Sequence, residues 1–253
     1  LGPGESTGGI TAPGHAESAN PEPKSATPDD SPQPAPSAPV QTATARIPAS
    51  GTLRFEVTAT KNGIANSASG ELRFENTGTE YSAVLETANW FGKRVDSSRG
   101  SIGQHGLVPQ RYGQKTSREK AAHFVWAEDK LIYSSNRPST PLAKGAQDRL
   151  SVIIQLAAMM ASDPAAWPAG KTVSMLVAST DYAEPWTFKV AGPDNVNASG
   201  QVIAAIKVER VHAEPYAQKV ELWFAPALDY LPARIRLTSS NGDYLDQVWR
   251  NTQ

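Results

Sequence analysis

The chain has 253 residues, no cysteine and a formal net charge of −1 at pH 7, with 39% hydrophobic and 19% charged residues. The lack of cysteine excludes disulfides, thiolate metal sites and cysteine nucleophiles, and the near-neutral balance argues against a nucleic-acid binder acting through bulk charge. No apolar run approaches the roughly 20 residues of a membrane-spanning helix; the longest, 150–161, is interrupted by Ser151 and Gln155.

Residues 1–50 hold ten of the 20 prolines, Pro3 to Pro48, and no Phe, Trp or Tyr. Such a stretch buries too little apolar surface to offset its ordering entropy. It is expected to be a disordered leader, with one β-rich globular domain over 51–253. The leader carries −3, which leaves +2 for the rest. The chain begins at Leu1 without an initiator Met. A Pro-rich segment in that position is expected behind a signal peptide or membrane anchor, which points to the periplasm or cell envelope. The alternative is a cytosolic protein with a disordered tail.

After the leader the apolar period is two. Leu53, Phe55, Val57 and Ala59 alternate with Arg54, Glu56 and Thr58, and Leu72 and Phe74 alternate with Glu71, Arg73 and Glu75. Asn62-Gly63 suits a type I′ hairpin, because both residues tolerate positive φ. Asn76-Thr77-Gly78 and Glu128-Asp129-Lys130 fall between further strand candidates. Residues 148–161 then switch to a helical period, with Leu150, Ile153, Ile154 and Ala157 on one stripe, Asp148 as N-cap and Asp163-Pro164 as stop. Val152, Leu156, Met159 and Met160 carry apolar surface round most of the circumference. A helix of that kind is buried, and in a curled sheet its place is in or across the mouth. Beyond it, Val220, Leu222 and Phe224 alternate with Lys219, Glu221 and Trp223, and Ile235 and Leu237 with Arg234 and Arg236. Asn241-Gly242 again suits a type I′ turn. The reading is mainly β: an antiparallel, barrel-like curled sheet of about ten strands with one buried helix.

Several of these pieces together resemble one family. They are Gly106-Leu107-Val108-Pro109, Asp148-Arg149-Leu150-Ser151 with Gln155-Leu156, Glu221 to Pro226, Leu231 to Ile235, and the Ser240-Asn241-Gly242-Asp243 hairpin. In order and spacing, over residues 51–250, they are similar to the proteobacterial domain-of-unknown-function family 3108. The resemblance implies an exported or anchored envelope protein and supplies no catalytic residues.

No motif names a reaction. The four histidines, His15, His105, His123 and His212, show no metal-ligand spacing. There is no nucleophile elbow or phosphate loop, and neither a catalytic residue nor a cofactor is assigned. Asp96, Glu128, Asp129 and Asp181 are the acids available to a hydrolase that pairs dispersed carboxylates. Residues 93–120 hold seven basic residues, Lys93, Arg94, Arg99, Arg111, Lys115, Arg118 and Lys120, against Asp96 and Glu119. On neighbouring strands they would form an anion-attracting patch; otherwise they are the wet face of a sheet. Trp90, Phe91, Trp126, Trp167, Trp186 and Trp249 are read as core or sheet-face packing. Ile153, Leu156, Met159 and Met160 are the residues expected to line any apolar cavity; the alternative is that they fill the core. The function expected is non-enzymatic: binding of a lipid or other amphipathic ligand, or of an envelope partner. The alternatives are an interaction module that docks on another protein or the cell wall, and a hydrolase.

Overall fold

Phe55, Val57 and Ala59 are buried and their neighbours exposed on β1 (Gly51–Lys61), as Gly70, Leu72 and Phe74 are buried on β2 (Ile64–Asn76). In this computed structural model, which describes residues 44–89, 92–211 and 217–250, that alternation sets the inner and outer faces of one sheet. Asn62 and Gly63 both take positive φ, 53° and 77°, and close the β1–β2 hairpin as their side chains allow. The chain then runs antiparallel through β3 (Glu80–Asn89), β4 (Gly92–Gly103), β5 (Gly106–Lys115), β6 (Glu119–Val125), β7 (Lys130–Tyr133) and β8 (Thr140–Pro141). It resumes at the opposite edge with β9 (Gln147–Asp148), which pairs in parallel with β10 (Thr172–Ala178). From there it returns antiparallel through β11 (Ala183–Ala198), β12 (Gln201–Val211), β13 (Lys219–Phe224), β14 (Pro232–Thr238) and β15 (Tyr244–Arg250). β15 pairs with β1, so two meanders join along one seam into a 15-stranded sheet.

The sheet is not closed. Its edge strands, β8 and β9, are not hydrogen-bonded to each other. Only residues 142–146 separate them in sequence, a link that reaches at most about 20 Å. A 15-stranded sheet with edges that near must curl strongly. The sheet has fifteen strands where about ten were expected; two of the extra ones, β8 and β9, are two residues long and carry no readable period.

The helix α1 (Ser151–Ser162) follows β9 and has ten buried residues. It begins at Ser151, three positions after the start of the expected range 148–161. Asp148 still caps it, but from within β9: its Oδ1 accepts the backbone N–H groups of Leu150 and Ser151 at 2.9 and 2.7 Å. The helix ends where expected, with the N–H of Asp163 donating to the carbonyl of Met159 before Pro164. Gln155 ties α1 to the β4–β5 hairpin. Its Oε1 accepts the N–H of Leu107 at 2.8 Å, and its Nε2 donates to the carbonyl of His105 at 2.9 Å. A Cβ on Gly106 would lie 2.1 Å from that Oε1, and Gly106 has φ +120°, so the position requires glycine.

Burial departs from the sequence pattern in two places. Trp223, expected on a wet face, is 4% exposed and belongs to a second, smaller core with Val196, Ala198, Ala205 and Ala233. Beyond a bulge at Val190–Gly192, the β11–β12 hairpin supplies residues that cover Trp223, and Asp194 accepts its indole N–H at 2.7 Å. An alternating strand pattern cannot register cover on the outer face. The other difference is the domain's start. Ala45 donates to the Gln104 carbonyl, the N–H of Arg46 to Ser162 Oγ, and Asn76 Nδ2 to the Pro48 carbonyl. Ile47 packs on the main core. The folded unit therefore includes 45–50, which composition had assigned to the leader; residues 1–43 lie outside the described residues.

At the last hairpin, Gly242 alone takes positive φ, 85°, and its N–H donates to the Ser239 carbonyl. Asn241 is thus not in the type I′ geometry expected of it; the extra loop residue lets glycine alone take the left-handed position.

Candidate functional site

The concave face of the sheet is mostly filled, but a cleft remains between the start of α1 and the second meander. Leu222 and Val220 on β13, Ile235 and Leu237 on β14, and Phe188 on β11 form its apolar wall. Leu150, Val152 and Ile153 face them from the first turn of the helix. The empty space is about 650 Å³ where it opens to solvent, but the part a water molecule can centre in is only about 60 Å³. The smaller figure measures the enclosed space as it stands, room for a few waters. The larger one also takes in space that is open to solvent. The cleft adjoins an open depression lined by Lys93, Thr116 and Ser117, with which it shares Thr87, Arg94 and Leu245.

Polar groups gather on one side. Strand alternation points Arg94, Asp96 and Ser98 of β4 inward. Arg94 grips Asp96 through two bonds, Nε to Oδ2 at 2.6 Å and Nη2 to Oδ1 at 3.0 Å. The same Oδ1 accepts the Tyr112 hydroxyl at 2.7 Å and Gln114 Nε2 at 3.0 Å. Burial pushes the Tyr112 hydroxyl well above its ordinary pKa, and the Asp96 charge adds to it. One level deeper, Ser98 donates to Asp148 Oδ2 at 2.6 Å, and the Tyr81 hydroxyl lies 2.9 Å from Ser98 Oγ. Asp148 is fully buried, and desolvation raises its pKa to about 6 despite four hydrogen bonds that favour the charge.

Arg149 closes the rim. Its guanidinium lies 5.5 Å from the Trp186 ring centroid and donates to the Tyr182 hydroxyl at 2.9 Å. Arg210 lies over the same ring at 4.2 Å but is paired with Glu184 at 2.9 Å. Among the described residues no carboxylate pairs with Arg149.

The residues singled out in the sequence fall in different places. Ile153 lines the cleft, whereas Leu156 and Met160 are wholly buried core and Met159 is half-buried. The cleft is at the first turn of α1, not at its methionine end, because Met160 and Leu156 are already enclosed by close packing. The basic stretch divides as well. Arg94 points inward to Asp96, so it does not belong to the outer face. Lys93 pairs with Glu86, Arg111 with Glu119 and Lys120 with Asp181. Arg99, Lys115 and Arg118 have no ion-pair partner among the described residues. Of the dispersed acids, Asp96 is held by Arg94, Asp181 by Lys120 and Glu128 by Lys130. Asp129 sits in a left-handed turn, φ 47°. Glu128 and Asp129 are neighbours in one turn, and of the four only Asp96 lines the cleft. Trp167 and Trp186 are buried and Trp126 and Trp249 pack on the main core, while Trp90, Phe91, His15 and His212 lie outside the described residues. The residues of the cleft that sequence reasoning missed, Arg149, Trp186 and Gln247, come from three elements far apart in the chain, and only pairing brings them together.

The profile of the family described as "Protein of unknown function (DUF3108)" matches residues 45–246. The chain belongs to that family. The match begins at Ala45, which among the described residues is the first to bond to the rest of the fold, at the β4–β5 turn. Several short segments that carried the family resemblance meet in this DUF3108 fold, since Gly106-Leu107 receives Gln155 and Asp148 caps α1. The chain is also similar to a beta-barrel-like protein of domain of unknown function DUF1849 from Brucella abortus, with TM-score 0.51 and 10% identity over 82% of this chain and 97% of that one. At that identity the likeness is one of fold alone. A DUF1329 family protein from Desulfovibrio piger aligns over 80% of this chain and 85% of its own, with 10% identity and a TM-score of 0.27, too low to argue from. No curated protein matches.

Proposed function

We propose that this DUF3108 member is a non-enzymatic envelope protein that binds an amphipathic ligand in the cleft beside the first turn of α1. The observation that carries this reading is the cleft's makeup: an apolar wall from Phe188, Val220, Leu222 and Ile235 with a polar rim at Arg94, Arg149 and Trp186. Apolar walls with a few placed polar groups characterise small-molecule sites; the enclosed space, about 60 Å³, is below their usual range of roughly 300–1,000 Å³. Entry would require rim side chains to turn aside, since the enclosed space is smaller.

An interaction module would instead be favoured by a contiguous exposed apolar patch. Among the described residues the exposed large apolar side chains are Ile64 on β2, Ile132 on β7, Tyr182 in a turn, and Val202 and Val211 at opposite ends of β12. A hydrolase would need clustered acids in a cleft, and among the described residues the cleft holds one, Asp96, already paired. The periplasmic assignment rests on the Pro-rich stretch before Ala45 and on the family resemblance. Among the described residues, no helix is long and apolar enough to cross a membrane.

Native mass spectrometry of the protein, purified gently from its original host, tests the reading. A co-purifying amphiphile is expected. A bare mass, together with no uptake of an added single-chain amphiphile, would overturn it.

A further inference from the structure

The rim of the cleft is charged asymmetrically, and the asymmetry selects among amphiphiles. Three charged side chains line it: Arg94, Arg149 and Asp96. Arg94 and Asp96 cancel through a bidentate pair that uses the Arg94 donors. The neighbouring Asp148 charge is turned away, held by Ser98 and the first turn of α1. Arg210, on the same Trp186 ring, is cancelled by Glu184. Among the described residues, the uncancelled charge at the rim is therefore Arg149.

The geometry of Arg149 suits it to receive an anion. Its guanidinium lies near the Trp186 face at 5.5 Å and that of Tyr182 at 5.9 Å, which holds it by cation–π attraction. A guanidinium has five N–H donors in its plane, and the Tyr182 hydroxyl occupies one amino group. The remaining edge can fork two oxygens of a carboxylate or phosphate. Directly inside the rim are Leu150, Val152 and Ile153, where an alkyl chain attached to such a head would run. The enclosed space is only about 60 Å³, so rim side chains must turn aside to admit even one chain, which argues against two.

We infer that the cleft takes a single-chain amphiphile with an anionic head, carboxylate or phosphate, and that Arg149 receives the head. The inference rests on the cleft's being a binding site. Isothermal titration calorimetry of the full chain against four twelve-carbon probes below their micellar concentrations tests it: dodecanoate, dodecyl phosphate, dodecan-1-ol and dodecyltrimethylammonium. The anions should bind about tenfold or more tighter than the alcohol, as expected for charge-assisted hydrogen bonds, and the cation most weakly. The tighter of the two anions identifies the head group. Arg149→Gln should bring the anions down to the affinity of the alcohol while binding of the alcohol stays within about twofold of wild type. Arg149→Lys, which keeps the charge without the fork, should retain part of the preference and serves if the Gln variant does not fold. Equal binding of anions and alcohol by the wild type, or a preference for the cation, overturns the inference and leaves the cleft as an apolar site. A full anion preference in folded Arg149→Gln overturns the role of Arg149. Binding of none of the four overturns the binding site itself.

Discussion

Ser98, facing inward on β4, donates a 2.6 Å hydrogen bond to Asp148, whose other carboxylate oxygen caps the first turn of α1. One carboxylate thus fastens the helix to the first meander at the place where the sheet leaves its two edges unpaired. Gln147 adds to the seam, donating from Nε2 to the Leu107 carbonyl at 2.9 Å. The cleft lies beside this junction, so what fixes the helix also fixes one wall of the candidate site.

The junction titrates. Burial raises the folded-state pKa of Asp148 to about 6 from 3.8. Between those values the folded protein binds a proton that the unfolded chain does not. This group's contribution to stability is therefore present at low pH and lost as pH rises through about 6. Asp148→Asn removes that contribution and leaves the other acids unchanged. The stability of wild type relative to Asp148→Asn should rise by about 2 kcal/mol between pH 7.5 and pH 4.5. Chemical denaturation of both proteins at the two pH values measures it. A gap that stays constant, or narrows in acid, would show that Asp148 ionises as an exposed carboxylate does.

The helix should be costly to hollow out. Leu156 is wholly buried, and Leu156→Ala should destabilise by about 2–5 kcal/mol, the range for emptying a packed core position. Met159, only half-buried, should cost less when changed to Ala. Thermal unfolding of the pair compares them. Equal, small losses would mean that α1 does not fill the sheet's interior.

The start of the folded unit can be found by truncation. A chain beginning at Thr44 should melt with the full chain. One beginning at Gly51 loses the contacts of Ala45, Arg46, Ile47 and Pro48. Its stability should fall by about 1–3 kcal/mol, the scale of a partly buried aliphatic side chain and a few hydrogen bonds. Identical melting of the two would return the boundary to residue 50.

The basic stretch should act only through its outer cations. Arg99, Lys115 and Arg118 predict a weak attraction to vesicles of acidic lipid, declining as the Debye length falls from about 10 Å at 0.1 M salt to about 3 Å at 1 M. Reversing the three to Glu should remove it. Co-sedimentation at low salt without any preference for acidic over neutral vesicles would leave these residues as a solvated sheet face.

Much of the fold was legible because it rests on local chemistry. The period of two in Leu53 to Ala59 marks β1, the positive-φ pair Asn62-Gly63 marks its hairpin, and the all-round apolar stretch from Leu150 to Met160 marks a buried helix. What escaped depends on distant pairing. Two-residue strands have no period, Trp223 is covered by a hairpin some 20–30 residues earlier, and Ile47 looks like leader until it meets the core. The cleft escaped for the same reason. Arg149 reads as a lone basic residue before a helix, and only the packing of β11 sets Trp186 beneath it. Arg94 looked like one of seven surface charges, and strand parity turned it inward.

The most direct measurement is methyl NMR of the isoleucine-labelled protein during titration with dodecanoate and, separately, dodecan-1-ol. Ile153 and Ile235 line the cleft, while Ile203 packs on the outer core and Ile132 is exposed. The account predicts that at least one of the two amphiphiles shifts the Ile153 and Ile235 methyl signals saturably and leaves those of Ile203 and Ile132 in place. Signals of Ile153 and Ile235 that do not respond to either amphiphile, or that move only together with those of Ile203 and Ile132, would contradict it.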